Sequence, residues 1–321
     1  MPAPAPISVA VVVPTFARPE LLARCLAALA AQHLAPKEVL VAMRAGDAET
    51  AAAVEAAAGV LAVRVLTVDE PGHLPPLAAG AAAATADVVA FVDDDAEPWP
   101  DWLQSLVRHY DRPDVGAAGG LIFQPGFEDR VVADAVGKIT PLGRFDRLAI
   151  HHVPREWHAR DVDVLAGANM SIRGDLLAEY SWDARLNGGA ATDYEVDLCS
   201  WVRRRGFRVV YDPNAIVTHR PGPRPELGRE HDAQAVYAYS HNLVYVAAKA
   251  LPLWQRPIAV ALAFLVGSRA SPGVVTALFD LAARRPPSLR RSLVPAFAGK
   301  LAGLRSAAAY VRYGAEPLER G

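Results

Sequence analysis

Strand-length apolar runs alternate with helical patterns through the first part of the chain, and this alternation restricts the fold more than any other feature. The run ISVAVVV at residues 7–13 leads to the helical pattern RPELLARCLAALAAQ, then to EVLVAM and an Ala-rich helix near residues 47–58. VRVLTV follows, then a helix around PLAAGAAAATA, then VVAFV. Such a βαβα order predicts an α/β fold, a doubly wound and mainly parallel sheet with helices on both faces. In sheets of this kind ligands bind beyond the carboxyl ends of the strands. With 321 residues and 52% apolar content the chain can bury the core that this fold requires.

Residues 123–164 are rich in Gly, Pro, Arg and His without periodicity, and read as an irregular excursion able to cover an acceptor. Order resumes at VLAGANMSIR and runs through the helix DYEVDLCSWVRRRG, the strand FRVVYD, the turn PNA and the segment IVTH. The Pro/Gly-rich stretch RPGPRPELG is the expected boundary between residues 1–225 and a helical C-terminal region, 226–321. A formal charge of -2 gives no global basic footprint, so no nucleic-acid partner is expected. Cys25 and Cys199 each sit in an apolar helical pattern and read as buried thiols. The N-terminus has no basic leader, and PIAVALAFLVG falls short of the roughly 18 apolar residues that argue a spanning helix. A cytoplasmic protein is expected.

The stretch VVAFVDDDAEPWPDWL brings the fourth strand to an end on Asp93, Asp94 and Asp95, at the edge where this architecture places ligands. Adjacent carboxylates raise one another's pKa unless a cation neutralises them. A hard divalent ion such as Mn²⁺ or Mg²⁺, which completes its shell with water and substrate phosphates, is the simplest neutraliser. The cluster therefore predicts a metal that bridges the protein to a diphosphate. The competing reading is a solvated acidic turn or a helix N-cap before PWPDWL.

Four segments in order, VVVPTFARPELLARCL, DVVAFVDDDAEPWPDWL, GANMSIRGDLL and DYEVDLCSWVRRRGFRVVYDPNAIVTH, resemble the family 2 glycosyltransferases of GT-A fold. The resemblance implies a nucleotide-diphosphate sugar as donor and a carbohydrate or lipid-linked acceptor. It implies that Pro14, Thr15 and Arg18 lie beside the sugar nucleotide and that Asp93 and Asp95 are the ends of a DxD motif. Asp95 would then be the direct metal ligand, with Asp94 near the donor ribose or sugar. His219 matches a position where many relatives place a histidine near the diphosphate or metal; it equally reads as a satisfied histidine at a strand end.

Inverting transfer needs a carboxylate to take the acceptor hydroxyl's proton. Relatives supply it from an ED pair at a helix start, but here Tyr194 occupies the Glu position and Glu195 the Asp position. At about 100° per residue, Glu195 falls near the centre of the apolar stripe of Leu198, Cys199 and Val202, with Asp193 and Asp197 on the opposite side. Glu195 is the expected base, with Asp193 its competitor or an N-cap beside Thr192. An ion pair with an arginine of WVRRRG is the structural alternative for Glu195.

Other positions depart from the family pattern. Met43 and Arg44 stand where relatives carry acids after the second strand, so that base recognition differs and Arg44 reads as a phosphate contact through its planar fork. Ala78 or Ala79 replaces a frequent Asn, while His73 and Leu74 read as donor-site lining or loop packing. Gly167 permits close backbone approach, and Asn169 reads as a hydrogen-bond partner of a sugar hydroxyl or as part of a buried strand. Trp99 and Trp102 read as a sugar platform or as core packing. His241, Asn242 and the C-terminal helices are expected to pack on the catalytic domain; the alternative is peripheral membrane contact through Lys249, Arg290, Arg291 and Arg305. Two rivals remain: a sugar-1-phosphate nucleotidyltransferase, which wants a Gly-rich basic loop that PTFARPE lacks, and a non-catalytic sugar-nucleotide-binding protein.

Overall fold

A computed structural model describes residues 6–57, 59–126, 131–132, 137–146, 153–188, 193–222, 233–268, 270–282 and 288–318. Strands β1 (Val9–Pro14), β2 (Glu38–Arg44), β3 (Val63–Val68) and β4 (Val88–Phe91) alternate with helices α1 (Pro19–Ala30), α2 (Ala48–Ala57) and α3 (Leu74–Ala83). They fall where the apolar periodicity predicts. β5 (Ala96–Pro98), α4 (Trp102–Val107) and β6 (Val115–Phe123) follow. The irregular excursion holds short strands only: β7 (Val131–Val132), β8 (Lys138–Ile139), β9 (Phe145–Asp146), β10 (Val153–Pro154) and β11 (Arg160–Asp161). Then come β12 (Met170–Arg173), α5 (Gly174–Ala178), α6 (Tyr194–Arg204) and β13 (Arg208–His219), and the helices α7 (Ala233–Ala250), α8 (Arg256–Leu265), α9 (Val274–Ala282) and α10 (Ser288–Tyr313).

The nine-stranded sheet runs in the order β11-β13-β6-β12-β4-β1-β2-β3, with β5 added on β13. Pairs β1/β2, β1/β4, β2/β3 and β6/β13 are parallel, whereas β12 lies antiparallel between β4 and β6. The sheet is thus mainly parallel, as expected. Strand alternation divides its apolar residues between two cores. Val11, Val13, Val88 and Ala90 meet Leu22 and Leu26 of α1 and Trp102 of α4 on one face. Val12, Val89 and Phe91 meet Leu74 and Leu77 of α3 and Leu198 and Val202 of α6 on the other. Burying each of these larger side chains is worth about 1.5–3 kcal/mol.

FRVVYD and IVTH form one strand rather than two. β13 pairs with β6 on both sides of an irregularity between Asp212 and Ile216. The predicted turn at PNA is a bulge in which Asp212 accepts hydrogen bonds from the backbone and side chain of Asn214. Arg108 and His109, from the end of α4 onward, close on the same carboxylate. The chain opposite the bulge must be glycine: a Cβ on Gly120 would lie 2.0 Å from the Ala215 carbonyl oxygen.

The expected boundary at residues 225–226 lies outside the described residues. Beyond it, Tyr245, Val246 and Ala247 of α7 enter the same core as Phe91 and Leu198. His241 bonds Ser306 of α10 and its neighbour Asn242, whose amide donates to the Leu186 carbonyl. Both residues therefore pack, as the sequence suggests. No helix among the described residues is long and apolar enough to cross a membrane.

Candidate active site

The carboxyl ends of β1, β4 and β13 converge on the aspartate cluster. Asp94 and Asp95 are buried while Asp93 is half-buried, and α4 starts only at Trp102, beyond β5. The solvated-turn and N-cap readings of the cluster are therefore overturned. Thr15, just past β1, donates to Asp94 at 2.8 Å. Arg18 spans Asp94 at 3.1 Å and Asp95 at 3.0 Å, and His219 at the end of β13 reaches Asp95 at 3.2 Å. Burial pushes the Asp94 carboxyl up to about 7, against the opposing pull of Arg18 and Thr15. Burial acts on Asp95 too, but the hydrogen bond and charge of His219, together with Arg18, hold it below the usual carboxylate range. Ligand atoms of Asp93, Asp95 and His219 lie within 4.8 Å of one another. Two carboxylates and an imidazole so placed are a donor set that a divalent ion fits.

A cleft of about 500 Å³ opens beside this group, lined in part by Arg18, Arg24, Gln124, His219, Arg220 and Gly222. The loop that forms its floor is strained, since Ala17 has a φ of 51°. Its backbone N–H donates to Asp47 at 2.7 Å, and Asp47 also accepts from Thr50 at the start of α2. Pro14 is buried in the β1 ladder opposite Ala42. The Arg44 guanidinium lies 5.2 Å from the centre of the Phe16 ring, at the same sheet edge.

Glu195 stands in the first turn of α6, half-buried. A Cβ on Gly167 would lie 3.1 Å from its carboxylate and 2.0 Å from the Tyr194 hydroxyl. Gly167 thus leaves room for both side chains, as its residue type suggests. The Tyr194 phenol is pushed upward by burial, with the charges of Glu195 and Asp93 acting in the same direction. Asp193 is buried at a left-handed φ of 74° and makes no side-chain cap of α6, so its expected N-cap role fails. Thr192 lies outside the described residues.

The side of α6 opposite its apolar stripe, where the sequence places Asp197, is covered as well. Asp197 is buried, accepts from Tyr180 at 2.8 Å and pairs with Lys249 of α7 at 2.8 Å. Lys249 pairs as well with buried Asp183 at 2.9 Å, and Tyr245 donates to Asp183. Lys249 is therefore a buried brace, in keeping with the expected packing of α7, and does not serve the alternative of a membrane contact. A helical wheel of α6 alone contains no sign of this partner; the one available signal was a lysine in the apolar run VYVAAKA.

Asn169 is not at the site. It is fully buried, donates to the Leu121 and Ala215 carbonyls at 3.0 and 2.8 Å, and accepts from the Trp102 indole at 2.8 Å. Its amide is saturated by the sheet and the bulge, which leaves nothing for a sugar hydroxyl. Trp102 is core, while Trp99 is exposed and donates to Thr218. Leu74 is buried, and His73 lies 5.7 Å from Tyr194 between ring centres.

A family model for glycosyltransferase-like family 2 matches residues 4–237. A glucosyl-dolichyl phosphate glucuronosyltransferase of Haloferax volcanii is 30% identical over 147 residues, covering 44% of this chain and 45% of the relative. A pre-mycofactocin glycosyltransferase of Mycobacterium tuberculosis is 29% identical over 149 residues, 44% of this chain and 28% of the relative. The matched segments thus span less than half the length of either relative. Among solved structures, the Pyrobaculum calidifontis mannosyltransferase PcManGT, in complex with GDP-Man and Mn²⁺, superposes with a TM-score of 0.52 at 20% identity, over 98% of this chain and 89% of that one. S. aureus TarS gives a TM-score of 0.58 at 15% identity, over 95% and 55%. These neighbours share the GT-A fold, with its mostly parallel sheet and following helices. On the match across residues 4–237, the chain belongs to glycosyltransferase-like family 2.

Proposed function

We propose that the protein is a metal-dependent, inverting glycosyltransferase that moves a sugar from a nucleotide-diphosphate sugar to an acceptor hydroxyl. The observation that carries this reading is the Asp93, Asp95 and His219 group at the strand edge, and the half-buried Glu195 in the first turn of α6 supports it. A bound Mn²⁺ or Mg²⁺ offsets the negative charge on the leaving diphosphate. Arg18, Arg24 and Arg220 line the adjoining cleft and supply cationic contacts for phosphate oxygens. Thr15 and Pro14 fix the loop under the donor. Glu195 takes the acceptor's proton while the freed oxygen pair attacks the anomeric carbon opposite the diphosphate, and this single displacement inverts the centre. Asp193 is the other carboxylate at the α6 start able to act as base.

The acceptor is a carbohydrate or a lipid-linked glycan in polysaccharide or glycolipid assembly, on the cytoplasmic side. The Haloferax relative, named for glucosyl-dolichyl phosphate, supports the lipid-linked class. Binding and turnover of nucleotide sugars, with and without Mn²⁺, test the assignment in wild type, Asp95→Ala and Glu195→Gln. Asp95→Ala loses metal-dependent donor binding. Glu195→Gln keeps binding and loses about 10²–10⁴-fold in kcat, the usual contribution of a general base. Tyr194, in place of a family carboxylate, favours one other reading, a sugar-nucleotide binder without chemistry. Wild-type binding with no transfer to any acceptor establishes that reading instead.

A further inference from the structure

The C-terminal helices carry a surface that the transferase reading does not use. Helix α9 is apolar nearly all round, yet none of its described side chains is buried. Leu278 and Phe279 are 60% and 64% exposed, and Val275 and Leu281 are exposed with them. A helix apolar on every side is ordinarily buried. Helix α8 adds a stripe of Ile258, Ala261 and Leu265 at spacings of three and four, with Trp254 in the turn before it. Its opposite face, Ala259 and Ala263, is buried. The outward face of α10 carries Val294, Leu301, Leu304 and Val311, interleaved with exposed Arg305 and Arg312. The α8 and α9 pair is pinned to α10 through Lys300, which donates to the carbonyls of Ser271 and Pro272, and through the edge-to-face rings of Phe264 and Phe297. These apolar residues therefore belong to one adjoining group of helices. Monomeric soluble proteins rarely leave large apolar patches uncovered, and three adjoining helices here each expose large apolar side chains.

Charge says what covers it. Residues 251–313 contain nine Arg and Lys against one acid, Asp280, a net of +8 in a chain whose total is -2. The remainder of the chain therefore carries -10. All the excess positive charge is thus gathered on the segment that also exposes the apolar side chains. A second copy meeting this face would bring exposed Arg305 and Arg312, on a segment of net positive charge, against their counterparts, and like charges brought together in an interface oppose association.

We infer that α8, α9 and the outward face of α10 form a docking surface for an anionic lipid bilayer, on which the protein lies without crossing it. Exposed Trp254, Leu278 and Phe279 enter the boundary between headgroups and acyl chains, and Arg305 and Arg312 stay at the phosphates. This inference stands apart from the transferase reading, because no residue of the aspartate cluster or of the α6 start contributes to it.

The test is flotation of the full-length protein with vesicles of phosphatidylcholine alone and of phosphatidylcholine mixed with phosphatidylglycerol. Binding to the anionic vesicles is expected, with weakening as salt is raised. The Leu278→Ser/Phe279→Ser variant should lose at least about tenfold in partitioning through lost apolar insertion. Arg305→Glu/Arg312→Glu should lose about as much on anionic vesicles, and the loss should vanish on neutral ones. Circular dichroism and donor hydrolysis, carried out without lipid, show that both variants remain folded. Protein left wholly in the soluble fraction with anionic vesicles overturns the inference. So does a concentration-dependent dimer that Leu278→Ser/Phe279→Ser dissociates while vesicle binding is absent. Vesicle binding by a wild type that turns over no nucleotide sugar would overturn the transferase reading alone.

Discussion

Replacing Lys249 with methionine removes the cation that bridges two buried carboxylates and leaves the shape of the side chain nearly unchanged. Lys249 Nζ lies 2.9 Å from Asp183 and 2.8 Å from Asp197, with 4% of its side chain exposed. Burial alone would lower its pKa, but Asp197 and Asp183 together hold it above the ordinary lysine value. A raised folded-state pKa stabilises fully below the unfolded value of about 10.5 and is lost only as pH climbs through the folded one, so the brace is intact at neutral pH. Breaking a buried pair by deleting one partner costs about 3–5 kcal/mol; here Asp183 keeps Arg185 at 3.5 Å, whereas Asp197 stays buried without its cation. Total stabilities are about 5–15 kcal/mol, so Lys249→Met should remove a large part of the whole. Urea unfolding followed by tryptophan fluorescence reads the loss. The stranded carboxylates take up protons as pH falls, so the deficit should shrink between neutral pH and about pH 5. Adding Asp197→Asn should recover about 1–3 kcal/mol through the coupling of neighbouring sites. Because α6 carries Glu195, kcat should fall further than donor affinity. A variant within about 1 kcal/mol of wild type, or a deficit that neither pH nor Asp197→Asn changes, would refute this account of the network.

Three further outcomes are expected. Asp212 is held at about 2, since burial is outweighed by the hydrogen bonds of His109, Asn214 and Arg108. It therefore contributes about 2 kcal/mol above pH 4 that disappears as pH falls toward 2, and acid titration of stability in Asp212→Asn should show the gap to wild type closing over that window. Gly120→Ala drives a methyl against the Ala215 and Asp212 carbonyls, and should cost about 1–3 kcal/mol in thermal or urea unfolding. Mn²⁺ at about 100 times its Kd should stabilise the wild type by about 2.7 kcal/mol and leave Asp95→Ala unmoved in the same melting assay.

Sequence reading succeeded where a property belongs to one element. The alternation in VVAFV and ISVAVVV is written within each strand, and the parallel order follows from helices separating them. The aspartate cluster was legible for the same reason, since a strand's end is a position along the chain. The partners of Asp197, Asn169 and Lys249 were not legible because they come from elsewhere. Asn169 is satisfied by Leu121, Ala215 and Trp102 from three separate elements, and nothing near GANMSIR in sequence signals them. A wheel drawn on α6 knows its own faces, but it cannot show that α7 closes over the side bearing Asp197. The C-terminal helices were divided in their outcome: α7 packs into the core as expected, whereas α9 buries none of its described side chains. The side chains of Arg290 and Arg291 lie outside the described residues, and Arg305 is exposed.

The bulge in β13 has a consequence for which changes of length the chain can absorb. Asp212 pairs opposite Gly120 and Ile216 opposite Leu121, so residues 213–215 have no counterpart on β6. Side chains alternate with a period of two, and an odd number of extra residues exchanges the faces of everything downstream. His219 points at Asp95 because that number is odd. Removing or adding one residue at 213–215 would turn the imidazole toward the opposite face of the sheet with every side chain still present. Between Asp212 and His219, the number of residues is thus under tighter constraint than their chemistry. Natural variants of this fold that keep the histidine should vary in length elsewhere.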